Sequence, residues 1–231
     1  MTKVKKSSIL LTCLLLALLC GLLFYIDGNA SKYIIRITRL CAINIVLALS
    51  MNLVNGFTGI FSLGHAGFMA IGAYTVALLT IPVAKKETIF MLEPLIAPLN
   101  TLTLPFGAAL IIGGLLAAAL AFLIGLPCLR LRGDYLAIAT LGFSEIIRIV
   151  ITNAQSLTNG AQGLKSIPAT ANIWWCYGVA LATIVFIALL ISSSYGRAFK
   201  AIPEVEIVAE SMGVSLLRHK MLSFMLSAFL G

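Results

Sequence analysis

Long apolar runs, each close to the length of a membrane crossing, constrain this chain more than any other feature of its sequence. A helix needs about 20 mainly apolar residues to cross the hydrocarbon core of a bilayer. Six runs approach that length, separated by Gly, Pro, Asn or charged residues. They cover residues 9–26, 34–54, 66–83, 105–128, 135–152 and 173–192. We therefore predict an all-α, polytopic transmembrane helical bundle in which residues 1–231 form a single domain.

Composition supports a lipid environment and argues against a nucleic-acid partner. Of the 231 residues, 61% are hydrophobic and 10% are charged, whereas an average soluble domain has about 25% charged residues. The formal net charge is +8. Its basic residues are scattered at the ends of apolar runs and in loops, with no basic stripe interleaved with aromatic residues. Juxtamembrane Lys and Arg therefore explain the excess charge.

The beginning of the chain is typical of either a signal peptide or an uncleaved first span. Lys3, Lys5 and Lys6 precede the first apolar run, and small residues come after it. The uncleaved span is the simpler interpretation because the chain contains many more spans, and it predicts a cytoplasmic amino terminus. The basic residues give only a weak bias towards the cytoplasm. The loop at 195–220 supports this orientation better, and a re-entrant segment between 55 and 70 would invert the orientation of every later span.

The last apolar run begins near Met221 and stops at Gly231. Eleven helical residues rise about 16 Å, roughly half the hydrocarbon thickness. We expect that C-terminal spans are missing from this sequence.

A glycine-rich segment, NGFTGIFSLGHAGFMAIGAY, covers Asn55 to Tyr74. Each glycine inside a helix costs about 1 kcal/mol relative to alanine. Such a cluster indicates either close helix packing through small residues or an unwound stretch that lines a water-filled cavity. Thr58, Ser62 and His65 accompany the glycines and favour a solute path.

A second polar segment, GDYLAIATLGFSEIIR, covers Gly133 to Arg148. Glu145 and Arg148 are three residues apart, a spacing at which opposite charges on a helix can pair. Asp134 lies three turns before Glu145 on nearly the same face. A carboxylate in lipid is costly, so we expect an interior face, either a wall of the path or an ion pair between helices. The next motif, TNGAQGL at 158–164, indicates a tight turn.

The segment from Tyr195 to Lys220 predicts a short amphipathic helix between two spans. Pro203 suits the first turn of a helix and Gly213 suits its end. An apolar stripe at helical spacing should dock on the membrane, on this protein or in a groove of a partner. The stripe consists of Ile202, Val205, Val208, Ala209 and Met212.

No motif in the sequence indicates a metal site, a cofactor or an enzyme. The five cysteines form no CxxC pair, and there are only two histidines. The phosphate-binding pattern GxxxxGK[ST] does not occur, so this chain does not itself bind ATP by that route.

The segments NG..G.FSLGHAGFMAIGAY, GDYLAIATLGFSEIIR, TNG..GL and GRAFKAIPEVEIVAESMG occur in one order that resembles the branched-chain amino acid permease family of ABC importers, in particular its second permease subunit. The resemblance spans about 35 to 231. It implies an importer in the bacterial inner membrane, built from two permeases, two cytoplasmic ATPases and an extracytoplasmic solute-binding protein. Pro203 departs from the pattern, because relatives usually carry a charged residue there.

With this resemblance, two sets of residues are assigned roles. The predicted solute path contains Asn55, Thr58, Gly59, Ser62, Gly64, His65, Gly67, Tyr74, Glu145 and Asn159. The predicted contact with the ATPase, centred on a helix from Glu204 to Gly213, contains Arg197, Ala201, Glu204, Glu206, Ala209, Glu210 and Gly213.

Other functions remain open at this stage. The solute could instead be urea, a short amide or another amino acid. An ion-coupled secondary carrier or channel would use a buried carboxylate, and a purely structural membrane subunit is a third possibility.

Overall fold

A computed structural model describes residues 6–90, 95, 99–131, 133–165, 167–168, 170–204 and 215–231. Within these ranges the chain is helical with no strand, which confirms the predicted all-α class. The helices are α1 Lys6–Asn29, α2 Lys32–Asn52, α3 His65–Thr80, α4 Val83–Ile89, α5 Phe106–Cys128, α6 Asp134–Asn153, α7 Gln155–Thr158, α8 Ile173–Ser192, α9 Ser194–Glu204 and α10 Leu216–Leu230.

Among the residues that the structure describes, four helical segments are long and apolar enough to cross a membrane. They are Lys32–Phe57, Phe106–Cys128, Asp134–Asn153 and Ile173–Ser192. The first of the six predicted spans, 9–26, lies within the helix α1. The predicted span at 66–83 is wrong in length, since α3 has 16 residues and rises only about 24 Å. It ends at Thr80 because Pro82 disfavours helical geometry at the preceding residue.

The core lies where α5 packs against α3 and α10. Along α5, Ala109, Gly113, Ala117 and Ala121 are buried at a spacing of four, so one face of the helix carries small side chains. Small residues let helix backbones approach closely within a membrane. The rings of Phe68 on α3 and Phe224 on α10 meet edge to face with centroids 5.3 Å apart.

The outer surface is rich in exposed, large apolar side chains, as expected for helices surrounded by lipid. Leu18 is 61% exposed, Leu123 66% and Ile138 66%. A soluble monomer rarely exposes so many apolar side chains together.

The segment at 195–220 differs from its prediction in where its helix begins. Pro203 is the penultimate residue of α9, which starts at Ser194, so the expectation that Pro203 lies in the first turn is wrong. The start is set earlier, where Gly196 N donates to Ser193 Oγ over 3.4 Å. Residues 205–214, with the predicted contacts Glu206, Ala209, Glu210 and Gly213, lie outside the described residues.

The last apolar run also starts earlier than predicted. The helix α10 begins at Leu216 rather than near Met221 and has 15 residues. It rises about 22 Å.

Candidate functional site

The α2 helix does not continue directly into α3. It first widens into a π-helical turn at Leu53–Phe57, and residues 58–64 are then non-helical before α3 begins at His65. We call residues 53–64 the helix break. The glycine-rich segment therefore does interrupt a hydrophobic helix.

The polar groups of the helix break are partly satisfied within the break itself. Ser62 N donates to Asn55 Oδ1 over 3.2 Å. Thr58 Oγ1 donates to Val54 O over 2.7 Å, and Ile60 N donates to the same oxygen over 3.1 Å. Irregular backbone at membrane depth is stable only where such groups find partners.

Two other helices also hold the break. Leu63 N donates to Thr140 Oγ1 on α6 over 3.1 Å. Ser223 Oγ on α10 lies 3.3 Å from Thr58 Oγ1. The three hydroxyl-bearing residues are buried. Sequence analysis missed Thr140 and Ser223, although hydroxyl residues in apolar helices are common sites of hydrogen bonds between helices.

His65 lies at the start of α3 in a hydrogen-bonded interior position. Its Nε2 is 3.0 Å from Ser50 Oγ, and Ser50 Oγ donates to Leu47 O over 2.9 Å. Because a hydroxyl has one proton, this arrangement assigns the donor role to Nε2 of His65. Ser227 Oγ on α10 donates to Ser50 O over 2.7 Å and extends the network.

Asn55, Ser62 and His65, three of the predicted path residues, line one small cavity together with Phe68 and Phe224. Its volume is about 10 Å³, room for about one water molecule. The structure thus brings these three side chains together but leaves no space for an amino acid between them.

Gly64 and Gly67 lie against α6. A Cβ atom at Gly64 would be 3.1 Å from Thr140 O, and one at Gly67 would be 3.1 Å from Ser144 Cα. Of the two interpretations left open for the glycines, close packing is therefore the one that the geometry favours at these two positions.

Tyr74 and Asn159 lie apart from the break, towards the other end of α3. Asn159 adopts a left-handed conformation with φ 61° and its Nδ2 donates to Gly163 O over 3.1 Å. Tyr74 Oη is 3.9 Å from the position of a Cβ at Gly163. Asn159 thus shapes the predicted turn, which lies against Tyr74.

Glu145 and Arg148 form the ion pair that their spacing predicted. Arg148 Nε donates to Glu145 Oε2 over 2.9 Å. The pair is exposed on α6, however, with the side chains of Arg148 and Glu145 68% and 51% accessible. The sequence predicted that this face of α6 lies in the interior, whereas the structure places it on the outside of this chain.

The helix α9 packs directly on the helix break. Phe199 and Ile202 on α9 are buried. Lys200 Nζ lies 6.0 Å from the centre of the Phe57 ring, within the range of a cation–π contact.

Gly59 of the break lies against Pro203 of α9. Gly59 has φ +64°, and a Cβ atom there would be 2.7 Å from Pro203 Cβ. Glycine is therefore required at position 59, because φ is positive and the Cβ of any other residue would clash with Pro203. Among the other predicted residues of α9, Arg197 donates to Ser194 Oγ over 2.9 Å and Ala201 is half-buried.

A second cavity of about 600 Å³ separates the α2 and α8 side of the bundle from α3 and α5. Arg39 on α2 is its charged lining residue, and Arg39 Nε is buried without a hydrogen-bond partner. Sequence analysis counted Arg39 only as a basic residue near a helix end. Its position, two turns inside an apolar run, is the signal that could have identified it.

Lys86 on α4 is a buried cation outside the four spanning segments. Its Nζ donates to Leu99 O over 2.6 Å and to Leu102 O over 2.7 Å. Burial lowers the pKa of the Lys86 ammonium. The side chain ties α4 to the segment that leads into α5.

The chain matches a family model and is similar to three curated proteins. The model describes the permease component of a branched-chain amino acid transport system and matches residues 33–231. The high-affinity branched-chain amino acid transport system permease protein LivM of Escherichia coli K12 is 37% identical over 86% of this chain and 50% of its own length. LivM of Salmonella typhimurium is 35% identical with the same coverage.

A more distant relative is the probable branched-chain amino acid transport permease protein LivM of Methanocaldococcus jannaschii. It is 22% identical over 80% of this chain and 61% of its own length. The chain spans about half the length of the first two relatives. No solved structure matches.

Proposed function

We propose, from the premise that the chain belongs to the family of branched-chain amino acid transport system permease components, that it is a membrane-spanning permease subunit of an ATP-driven importer of branched-chain amino acids. The helix break carries this proposal. An interrupted helix within an apolar bundle is typical of transporters, where freed backbone groups meet solutes and moving parts. The solute is proposed from what the names of the relatives state.

The Glu145 and Arg148 pair supports a second permease subunit as a partner. Glu145 is the twelfth residue of the twenty in α6, so the pair lies deep within a span. A lipid-facing ion pair at that depth would be costly, whereas a polar partner surface or a water-filled path would accommodate it. We propose that the second permease covers this face and that the solute passes beside it.

The contact of α9 with the break supports coupling to a cytoplasmic ATPase. The segment 195–220 would bind the ATPase on the cytoplasmic side of a bacterial inner membrane. Movement of α9 would then reach the break through the Gly59 and Pro203 contact and through Lys200 on Phe57. Tightly packed contacts transmit such displacements because they deform little.

The closed cavity at Asn55, Ser62 and His65 fits one state of such a cycle. Its volume of about 10 Å³ excludes the solute. A displacement of α9 that pulls the break away from Thr140 or Ser223 would open this space. Alternating access requires a path that is closed on one side at a time.

Reconstitution tests the proposed function. The chain would be placed in proteoliposomes together with the second permease and the ATPases, with the solute-binding protein outside. We expect uptake of radiolabelled leucine that requires ATP inside and the binding protein outside. Uptake driven by a proton or sodium gradient in the absence of ATP would instead identify an ion-coupled carrier.

A further inference from the structure

Three polar contacts join α2 and the π-helical turn to the helices packed beside them. Ser227 Oγ on α10 donates to Ser50 O over 2.7 Å, and Ser50 Oγ is 3.0 Å from His65 Nε2 at the start of α3. Ser223 Oγ on α10 lies 3.3 Å from Thr58 Oγ1, directly after the turn. We call Ser50, Thr58, His65, Ser223 and Ser227 the polar seam.

The contact between Thr58 and Ser223 costs little free energy to separate. Thr58 Oγ1 is 2.7 Å from Val54 O, and Ser223 Oγ is 2.9 Å from Lys220 O. Because each hydroxyl has one proton, both protons have nearer acceptors than the facing hydroxyl. Hydrogen bonds between helices in a membrane are modest in general, since the separated groups find other partners.

The contacts of α10 with α3 and α5 are apolar and closely packed instead. The ring of Phe224 on α10 meets that of Phe68 on α3 edge to face. A Cβ atom at Gly125 on α5 would be 2.9 Å from Met221 Sδ on α10. Tightly packed side chains deform little. We therefore expect α3, α5 and α10 to move as one body and the polar seam to separate first.

The later part of the break is attached to α6. Leu63 N donates to Thr140 Oγ1 over 3.1 Å, and a Cβ atom at Gly64 would be 3.1 Å from Thr140 O. Gly59, with φ +64°, lies between Thr58 at the seam and this attachment. Glycine adopts both left-handed and right-handed conformations at little steric cost. The break can therefore bend at Gly59 while its later part remains on α6.

The helix α9 lies on the first part of the break. Lys200 is over the ring of Phe57, the last residue of the π-helical turn, and Pro203 lies against Gly59. Single π-helical turns are rare and are frequent at functional sites. A displacement of α9 therefore acts on the turn and on Gly59, directly beside the polar seam.

We propose that the polar seam is the interface that opens during transport: α9, α2 and the π-helical turn part from α10, while the later part of the break stays on α6. This inference rests on the proposed function, in which a cytoplasmic ATPase moves the segment at 195–220. Thr58 and Ser223 are positioning residues that hold the closed state. Asn55 and His65 lie on opposite sides of the seam and line the small cavity, so the opening widens that cavity.

A reversible disulfide across the seam tests the proposal. Thr58→Cys with Ser223→Cys places two thiols where the hydroxyl oxygens are 3.3 Å apart, a spacing from which small side-chain rotations form a disulfide. The complete transporter in proteoliposomes would be oxidised with copper phenanthroline, and mass spectrometry would identify the linked peptides. We expect oxidation to abolish leucine uptake and dithiothreitol to restore it. Unchanged uptake by protein with the verified disulfide would overturn the proposal.

The matched control pair links α10 to the body with which it is expected to move. Gly125→Cys with Met221→Cys replaces a glycine and a long side chain by two short ones, at the contact where a Cβ of residue 125 is 2.9 Å from Met221 Sδ. We expect oxidation of this pair to leave uptake as it is in the reduced form of the same protein. Equal losses of uptake on oxidation of both pairs would overturn the proposal, because α10 would then have to leave α5 as well.

The rate of disulfide formation is a second readout, which does not depend on completed transport. It is measured in the transporter without nucleotide and in the transporter trapped with ATP and vanadate. We expect the two rates to differ for the Thr58 and Ser223 pair and to agree for the Gly125 and Met221 pair. A contact with a purely structural role would form its disulfide equally fast in both states, and that result for the seam pair would overturn the proposal.

Uptake by the unaltered transporter separates this inference from the proposed function. It is measured in the same proteoliposomes, with and without the oxidant. Absence of ATP-dependent leucine uptake without the oxidant would contradict the proposed function. ATP-dependent uptake that the disulfide between positions 58 and 223 does not reduce would contradict this inference alone.

Discussion

The helix break and the large cavity lined by Arg39 are neighbouring regions that differ in free space and in whether their polar groups have partners. In the break and at the start of α3, Asn55, Thr58 and His65 all have hydrogen-bond partners, and the cavity lined by Asn55 and His65 is about 10 Å³. In the cavity, about 600 Å³ of space faces Arg39, whose Nε has no partner. Satisfied polar groups fix a conformation, whereas an unsatisfied one creates an affinity for something else. The comparison shows that the break is a packed, internally bonded region and that the cavity is an open one.

The largest expected effect comes from disturbing the contact between the break and α9. Gly59→Ala places a Cβ 2.7 Å from Pro203 Cβ and forces alanine into φ +64°. A left-handed conformation alone costs about 1–2 kcal/mol. We expect leucine uptake to fall about tenfold or more while ATP hydrolysis persists, measured together in proteoliposomes.

Gly133→Ala is the matched control for this variant. Gly133 has φ +58°, but no atom lies within 4 Å of the position of its Cβ. It therefore also forces alanine into a positive φ, but without the clash. In the Gly59→Ala background, Pro203→Gly should restore part of the uptake, whereas Pro203→Ala should not because it keeps the Cβ. Equal losses of leucine uptake in Gly59→Ala and Gly133→Ala would contradict a role for the contact between Gly59 and Pro203.

The next effect concerns the hydrogen bonds that close the break. Thr140→Val leaves Leu63 N without its acceptor and should destabilise the protein by about 1–3 kcal/mol. Thr152→Val is the control, since Thr152 Oγ1 donates only within its own helix, to Arg148 O and Ile149 O. The measurement is the thermal unfolding midpoint in detergent. Similar midpoints for the two variants would argue that the break is not held by α6.

The smallest expected effect concerns two glycines on α3. Gly67 lies beside α6, and Gly72 lies beside the large cavity. A Cβ at Gly67 would be 3.1 Å from Ser144 Cα, while Gly72 lines the large cavity with nothing within 4 Å of its Cβ position. Alanine is favoured over glycine in a helix by about 1 kcal/mol. Gly72→Ala should therefore raise the unfolding midpoint and Gly67→Ala should not. A larger rise in the unfolding midpoint for Gly67→Ala than for Gly72→Ala would contradict the assignment of Gly67 to a packed face and of Gly72 to an open one.

The sequence predicts the long spans well because their ends have local causes. The runs predicted at 105–128 and 173–192 match α5 and α8 to within one residue. Pro105 precedes α5, and Asn172 precedes α8. Helix-breaking glycines also predicted that the chain is interrupted after α2.

The remaining features depend on contacts between distant parts of the chain. Leu63 and Thr140 are 77 residues apart, and Thr58 and Ser223 are 165 apart. No local pattern encodes such pairs. The position of Arg39 inside an apolar run is a local signal, but the missing hydrogen-bond partner of its Nε becomes visible only when α3, α5 and α8 surround it.

The buried ammonium of Lys86 has a consequence for surface chemistry. Its hydrogen bonds to Leu99 O and Leu102 O close off the amine from reagents in the medium. Acylating agents should therefore modify the exposed Lys32 first and reach Lys86 only when the chain around it opens. Modification of Lys86 therefore reports how often α4 separates from the segment that leads into α5, without an introduced label.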